Sequence, residues 1–248
     1  MTLRAVRPSP MDAPAPSTLA ARLQVLTTLA PDRLAALLSG DPARAAPWVQ
    51  AAAEAGLPEG QVRFGRMLLE GAGVPRDETA AYGWFLLAAS ASDAEGQNMT
   101  GRCFENGWGV PADPIKAAHW FAAAAEQGHT WARYNLGHLY LDGLGVAKDQ
   151  DKAFTLYRLA ADAGHSRAMS LVGRCFEEGW GVAADPVEAC AWYRRSAEGG
   201  YFRGQYNLAT LLLVDGEAVE AATWFERALA AAPPAARIAM QDRLAPKS

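Results

Sequence analysis

The 248-residue sequence predicts an all-α protein, a solenoid built from helix-loop-helix repeats of 36 residues. A Gly-x-Gly-Val tetrapeptide begins at residues 71, 107, 143 and 179, so the copies are always 36 residues apart. Aspartates at residues 77, 113, 149 and 185 keep the same step. Apolar residues on both sides of each loop recur at helical spacing. A fixed period of this length is the sequence signature of a repeat architecture.

The segment before each glycine loop predicts the first helix of a repeat. Ala132, Leu136, Leu139 and Tyr140 fall at i, i+4, i+7 and i+8, which makes one apolar stripe on a helix. Cysteine takes the slot of Leu139 in two other repeats, at Cys103 and Cys175, and free cysteine packs as a small apolar residue. We therefore expect both thiols in the core.

A glycine recurs inside each first helix, at Gly65, Gly101, Gly137 and Gly173. Glycine within a helix costs about 0.5–1 kcal/mol relative to alanine. The repetition indicates that a neighbouring helix crosses there too closely for a Cβ atom.

The second helix of each repeat begins at the aspartate. Asp113-Pro114 and Asp185-Pro186 combine an N-cap acceptor with a proline at the first helical position. The predicted buried face of this helix in the second repeat is Ala117, Trp120 and Ala124. Glycines such as Gly128 end the helix, because the left-handed backbone just past a helix terminus favours glycine.

Four regions follow from these patterns. Residues 1–16, rich in proline, are predicted to be disordered, and residues 17–57 to form N-terminal capping helices with a partial repeat. The repeat array spans residues 58–233, with four full repeats and a shortened last one that lacks the glycine loop. Residues 234–248 are predicted to be a C-terminal capping helix and tail.

Composition excludes several classes of protein. With 23 basic and 27 acidic residues the chain lacks the cationic excess of nucleic-acid-binding proteins, so no nucleic acid is expected as a partner. No apolar run reaches the roughly 20 residues that cross a bilayer, so no direct membrane insertion and a cytoplasmic location are expected. Three cysteines cannot form a disulfide framework.

The string "ARYNLGHLYLDGLGVAKDQDKAFTLYRLAADAGH", residues 132 to 165, resembles the Sel1-like repeat family, which is related to tetratricopeptide repeats. The resemblance covers about residues 58 to 232. It implies a right-handed superhelical α/α solenoid and a non-catalytic scaffold or adaptor. Such a protein binds a partner protein or peptide in the concave groove of its array.

The resemblance also implies which residues face that groove. By analogy with tetratricopeptide proteins, these are the residue directly after each helical glycine and the residue three positions before it. One aromatic residue nearby is added to them. The predicted contacts are Arg66, Asn98, Arg102, Trp131, Tyr134, His138, Arg174 and Tyr206. The arginines suggest a partner with an acidic or C-terminal carboxylate segment. They could instead pair on their own helices, with Glu70, Glu105 and Glu178.

The resemblance leaves two alternatives to an adaptor. One is a dedicated regulatory or assembly partner of a single enzyme, such as an iron-dependent oxygenase in an iron-uptake locus. The other, ranked last, is a β-lactamase-like hydrolase of the cysteine-rich Sel1 branch, whose paired cysteines this chain lacks. The sequence contains none of the common catalytic motifs, and no cofactor or metal is expected. We expect a monomer or weak dimer.

Two tryptophans and two histidines lie outside the core and groove positions. Trp108 and Trp180 occupy glycine loops whose counterparts carry Ala72 and Leu144, and they either pack against an adjacent loop or form a second contact site. His129 and His165 lie one repeat apart, too far to share a metal, and are expected at helix starts.

Overall fold

A computed structural model describes residues 15–244, which form fourteen α-helices and no strand. The chain divides after Gln127 into two compact units, here called the N-terminal and C-terminal units. The predicted disordered segment, apart from Ala15 and Pro16, lies outside the described residues, as do residues 245–248 of the predicted tail. The all-α prediction is confirmed.

The N-terminal unit holds three helices that precede the array, and two repeats. Its helices are α1 (Leu19–Thr28), α2 (Pro31–Ser39), α3 (Pro42–Glu54), α4 (Pro58–Glu70), α5 (Glu78–Ser90), α6 (Ala94–Asn106) and α7 (Pro114–Glu126). The residues predicted as a partial repeat include α3, which Asp41 caps by accepting a hydrogen bond from the Ala43 amide at 3.1 Å. The repeats are the helix pairs α4/α5 and α6/α7.

The C-terminal unit holds three repeats and a last helix. Its helices are α8 (Thr130–Asp142), α9 (Gln150–Asp162), α10 (Ser166–Glu178), α11 (Pro186–Glu198), α12 (Phe202–Val214), α13 (Ala218–Ala231) and α14 (Pro234–Leu244). The repeats are α8/α9, α10/α11 and α12/α13. Only Asp215, Gly216 and Glu217 separate α12 from α13, where the sequence lacks the glycine loop.

The helical glycine of each repeat lies against a ring from the second helix. A Cβ on Gly137 would lie 2.6 Å from Cε1 of Tyr157, and one on Gly173 would lie 2.8 Å from Cδ1 of Tyr193. The expected close approach is present, but the ring lies one position after the predicted tryptophan. In the second repeat Phe121 is fully buried, together with Ala117 and Ala124, whereas Trp120 is half-buried.

The glycine loop joins consecutive repeats as well as the two helices of one repeat. Gly179 adopts a left-handed backbone, with φ of 72°, and the Trp180 amide donates to the Cys175 carbonyl at 2.9 Å. Gly181 lies against the start of α9 in the preceding repeat. A Cβ there would lie 2.1 Å from the backbone oxygen of Gln150. The loop therefore fixes the spacing of adjacent repeats.

The two repeat cysteines lie in the core, as predicted. Cys103 and Cys175 are buried, with exposed fractions of 0% and 1%. Burial raises the pKa of both thiols to about 12. Each therefore stays protonated at neutral pH and acts as an apolar packing residue.

Candidate functional site

A cavity of about 570 Å³ lies in the C-terminal unit, among α8, α10, α12 and α14. It is called the C-terminal cavity below. Aromatic rings and guanidinium groups dominate its lining: Tyr134 and His138 from α8, Arg167 and Arg174 from α10, Tyr201, Phe202, Arg203 and Tyr206 around α12. Helix α14 contributes Ala236, Ala239 and Met240. This volume is within the range of about 300–1,000 Å³ that is usual for ligand pockets.

The three arginines of the C-terminal cavity are held by aromatic rings. The guanidinium carbon of Arg167 lies 5.1 Å from the ring centroid of Trp131 and 5.8 Å from that of Tyr201. The guanidinium carbon of Arg174 lies 4.8 Å from the Trp180 centroid, and that of Arg203 lies 5.8 Å from the Phe202 centroid. Within residues 15–244, none of the three makes a hydrogen bond or an ion pair through its side chain. A cation–π contact of this kind uses the charge of the guanidinium and leaves its N–H groups available for hydrogen bonds.

Two glutamates also line the C-terminal cavity. Glu177 accepts a hydrogen bond of 2.5 Å from the hydroxyl of Tyr193. Glu178 lies one turn beyond Arg174 on the same helix, but the two side chains do not form an ion pair in the described structure. The lining therefore carries three guanidinium groups against two carboxylates, one of which is already hydrogen-bonded.

His138 borders the C-terminal cavity within a group of stacked rings. Its imidazole lies 4.6 Å from the ring of Tyr134 and 5.4 Å from that of Tyr157, centroid to centroid. Burial lowers the pKa of His138, although the charge of Asp142 acts in the opposite direction. His138 is therefore neutral at pH 7 and adds a ring, not a charge, to the cavity.

A second cavity, of about 500 Å³, lies in the N-terminal unit and is called the N-terminal cavity below. Arg66, Arg76 and Arg102 line it, together with Glu70, Leu69, Met99 and Trp108. Here two of the arginines are ion-paired: Arg66 with Glu95 and Arg76 with Glu78. Arg102 lies over Trp108, with its guanidinium carbon 4.9 Å from the ring centroid.

The predicted groove residues divide between the two units. Arg66 and Arg102 line the N-terminal cavity, whereas Tyr134, His138, Arg174 and Tyr206 line the C-terminal cavity. Asn98 is buried, with 3% of its surface exposed, and lines neither. Trp131 is 42% exposed and borders the C-terminal cavity indirectly, through its contact with Arg167.

The alternative in which each arginine pairs on its own helix is not what the described residues show. Arg66 bridges to Glu95 of the next repeat instead of Glu70. Arg102 and Arg174 each lie over the tryptophan six residues further along the chain. In residues 15–244 neither forms an ion pair with the expected glutamate.

The loop tryptophans pack against core clusters to which two consecutive repeats contribute. Trp108 contacts a core cluster that includes Phe85 and Ala88, and Trp180 contacts one that includes Tyr157 and Ala160. Both indoles are half-buried, and each has a face covered by an arginine of its own repeat. Their role as a second contact site stays a prediction, and only Trp108 lines a described cavity.

The repeats match a known family throughout the array. The Sel1 repeat matches residues 58–93, 94–129, 132–165, 166–201 and 203–232, which is well over half of the chain. The protein belongs to the Sel1 repeat family. Proteins of this family generally act as protein-interaction scaffolds.

Solved structures of Sel1 repeat proteins have the same fold. A Sel1 repeat protein from Oxalobacter formigenes is 26% identical, with a TM-score of 0.71, covering 86% of this chain and 84% of that one. A protective antigen present in uropathogenic Escherichia coli strains is 29% identical, with a TM-score of 0.70 over 85% of this chain. The match covers only 45% of that longer antigen.

A more distant structure shares the fold alone. It is an immunity protein from Pseudomonas aeruginosa, 20% identical, with a TM-score of 0.52 over 79% of this chain and 72% of that one. Among curated proteins, none matches the sequence closely enough to count as a relative.

Sequence reasoning missed two of the three cavity arginines of this Sel1 repeat protein. Arg167 and Arg203 lie 36 and 72 residues after Trp131, so they occupy one position in three consecutive repeats. That register was visible in the sequence. It was missed because this position was assigned to the groove only at Trp131 and was not carried into the two repeats that follow.

The described residues show neither a metal site nor a membrane span. No group of three or more His, Cys, Asp or Glu side chains in residues 15–244 is arranged to hold a metal ion. None of the helices in that range is both long and apolar enough to cross a membrane.

Both repeat histidines cap helices, as expected from the Sel1 repeat register. The Nδ1 atoms of His129 and His165 accept hydrogen bonds of 3.1 Å from the amides of Ala132 and Ala168. Burial, together with the nearby charge of Arg167, lowers the pKa of His165 to about 4. Protonation would also remove the lone pair with which Nδ1 accepts the capping bond.

We expect His165 to make the stability of the C-terminal unit pH-dependent. Because its pKa in the folded protein is lowered, folding favours the neutral imidazole. The stabilisation is complete above the ordinary pKa of about 6.5 and is lost as the pH falls towards 4. The measurement is the urea midpoint of wild type and His165→Asn between pH 7.5 and pH 4.

Asparagine is the matched control, because it can accept the same capping bond but does not titrate. The midpoint of wild type should fall more steeply between pH 6.5 and 4 than that of His165→Asn. Parallel pH profiles for the two proteins would show that His165 does not contribute.

Proposed function

We propose that this Sel1 repeat protein is a non-catalytic adaptor that binds a segment of a partner protein in the C-terminal cavity. The observation that carries the proposal is the convergence of aromatic side chains on one concave site. Tyr134 from α8 and Tyr201, Phe202 and Tyr206 around the start of α12 border the same space of about 570 Å³. The scaffold function that is general in the family supports the proposal.

The aromatic lining has the properties of a protein-binding site. Tyrosine and arginine are enriched among residues that dominate binding energy, and rigid rings lose little conformational entropy when a partner binds. Tyr206 is held by an edge-to-face contact with Phe225, at 5.4 Å between centroids. Its ring is half-buried, so it is both held in place and accessible to a ligand.

Random peptides displayed on phage provide a test that does not depend on the identity of the partner. Peptides would be selected on the wild-type protein, and their dissociation constants measured by fluorescence anisotropy on wild type and on Tyr206→Ala. We expect Tyr206→Ala to weaken binding at least tenfold, because loss of a central aromatic contact costs about 2 kcal/mol or more.

Tyr140→Ala is the matched control. Tyr140 is also half-buried, lies in the same unit and contacts Lys152, but it does not line the C-terminal cavity. It should leave the affinity within about twofold of wild type. Failure to select any binding peptide, or equal affinity for wild type and Tyr206→Ala, would contradict the proposed function.

A further inference from the structure

The C-terminal cavity contains an uncompensated set of arginines, and these indicate the chemistry of its ligand. Resting on the proposed function, we infer that the bound protein segment is acidic and that its side-chain carboxylates contact Arg167, Arg174 and Arg203. One repeat position reverses its charge between the two units, the N–H donors of these arginines have no acceptor among the described residues, and the cavity's own carboxylates do not pair with them.

The charge reversal appears when the two units are compared in repeat register. In the N-terminal unit Arg66 follows the helical glycine of one repeat and pairs with Glu95, which lies 29 residues further on, near the start of the next first helix. In the C-terminal unit the corresponding residues are Arg174 and Arg203, also 29 residues apart. The repeat position that holds Glu95 and neutralises Arg66 in the N-terminal unit therefore holds Arg203, a second cation beside Arg174, in the C-terminal unit.

Stacking makes these cations suitable for carboxylates. Arg174 lies over the Trp180 ring, and Arg167 lies near the rings of Trp131 and Tyr201, so both guanidinium groups have aromatic contacts that do not use their N–H donors. The N–H groups at the edge of a guanidinium plane can meet a carboxylate in a bidentate manner. In the described structure these donors have no acceptor within the chain.

The cavity's own carboxylates do not neutralise the arginines. Glu177 is engaged by the Tyr193 hydroxyl at 2.5 Å, and Glu178 does not bridge to Arg174 in the part of the chain that the structure describes. Three arginines against two glutamates leave the lining with a net positive charge. An acidic segment would supply the missing acceptors, while its apolar residues contact the rings of Tyr201 and Tyr206.

The decisive variant restores the arrangement of the N-terminal unit. Arg203→Glu places an acid where Glu95 lies in that unit, so Arg174 gains a partner within the chain and the cavity loses its positive charge. The probes are the fluorescein-labelled phage-selected peptides whose binding is weakened by Tyr206→Ala. A second set of probes has the same sequences with every Asp replaced by Asn and every Glu by Gln. We expect the selected peptides to be rich in acidic residues.

We expect the affinity to depend on both the protein variant and the charge of the peptide. Arg203→Glu and the amide peptides should each weaken binding at least tenfold, and raising NaCl from 50 to 500 mM should weaken it further, because exposed charge pairs are screened. Arg227→Glu is the matched control, since Arg227 lies over Trp224 at 4.7 Å but outside the cavity. It makes the same charge change and should leave the affinity within about threefold.

A rescue experiment separates charge recognition from misfolding. A selected peptide with one acidic residue changed to lysine should bind Arg203→Glu more tightly than it binds wild type. Cavity-binding peptides that are not acidic and do not respond to Arg203→Glu would overturn this inference but leave the proposed function intact. A selection in which no peptide depends on Tyr206 would overturn both.

Discussion

Gly181→Ala is expected to lower the free energy of unfolding of the C-terminal unit by about 2–5 kcal/mol. The left-handed backbone, with φ of 67°, costs an L-residue about 1–2 kcal/mol. The added Cβ would also lie 2.1 Å from the backbone oxygen of Gln150, and such overpacking costs typically 1–3 kcal/mol. Urea denaturation followed by circular dichroism and tryptophan fluorescence would measure the loss.

Gly164→Ala separates the two contributions. Gly164 also has positive φ, at 89°, but a Cβ there would meet nothing within 4 Å. Its substitution should therefore cost only the backbone term of about 1–2 kcal/mol. Equal losses for the two variants would show that the contact between the glycine loop and the preceding repeat does not contribute to stability.

Gly137→Ala is the second substitution expected to have a large effect, with a loss of about 1–3 kcal/mol. The new methyl group would lie 2.6 Å from Cε1 and 2.8 Å from Cδ1 of Tyr157. That ring is fully buried, so it cannot move without displacing its neighbours. The loss should exceed the gain of about 0.5–1 kcal/mol that alanine normally brings to a helix interior.

Gly83→Ala is the control for Gly137→Ala. Gly83 also lies inside a helix, α5, but a Cβ there would meet nothing within 4 Å. It should therefore raise the free energy of unfolding by about 0.5–1 kcal/mol, opposite in sign to Gly137→Ala. The same urea titrations measure both, and a stabilised Gly137→Ala would refute the proposed close contact.

Local signals in the sequence predicted most of the fold. The aspartate caps, the glycine loops and the apolar stripes depend on residues within one turn or one helix, so they could be assigned without tertiary information. The prediction for Trp120 was less accurate. Successive helical residues are about 100° apart, so both Trp120 and Phe121 border the apolar face, and the ring opposite Gly101 proved to be Phe121.

The candidate site was only partly predictable. Arg174, His138, Tyr134 and Tyr206 were assigned from the helical glycine, and they do line one cavity. Arg167 and Arg203 come from the first turns of α10 and α12, and Met240 comes from the last helix. Their convergence depends on how successive repeats and the terminal helix pack, which no single-repeat pattern describes.

The repeat, its helix boundaries and its family could be read from the amino-acid sequence, because a 36-residue period imposes the same local chemistry in each copy. Which arginines are neutralised depends on the packing of successive repeats. Arg66 and Arg174 look equivalent in sequence, yet Arg66 pairs with Glu95, whereas Arg174 stacks on Trp180 and shares a cavity with Arg203. An ion pair forms only where the next repeat brings a carboxylate within a few ångströms of the guanidinium.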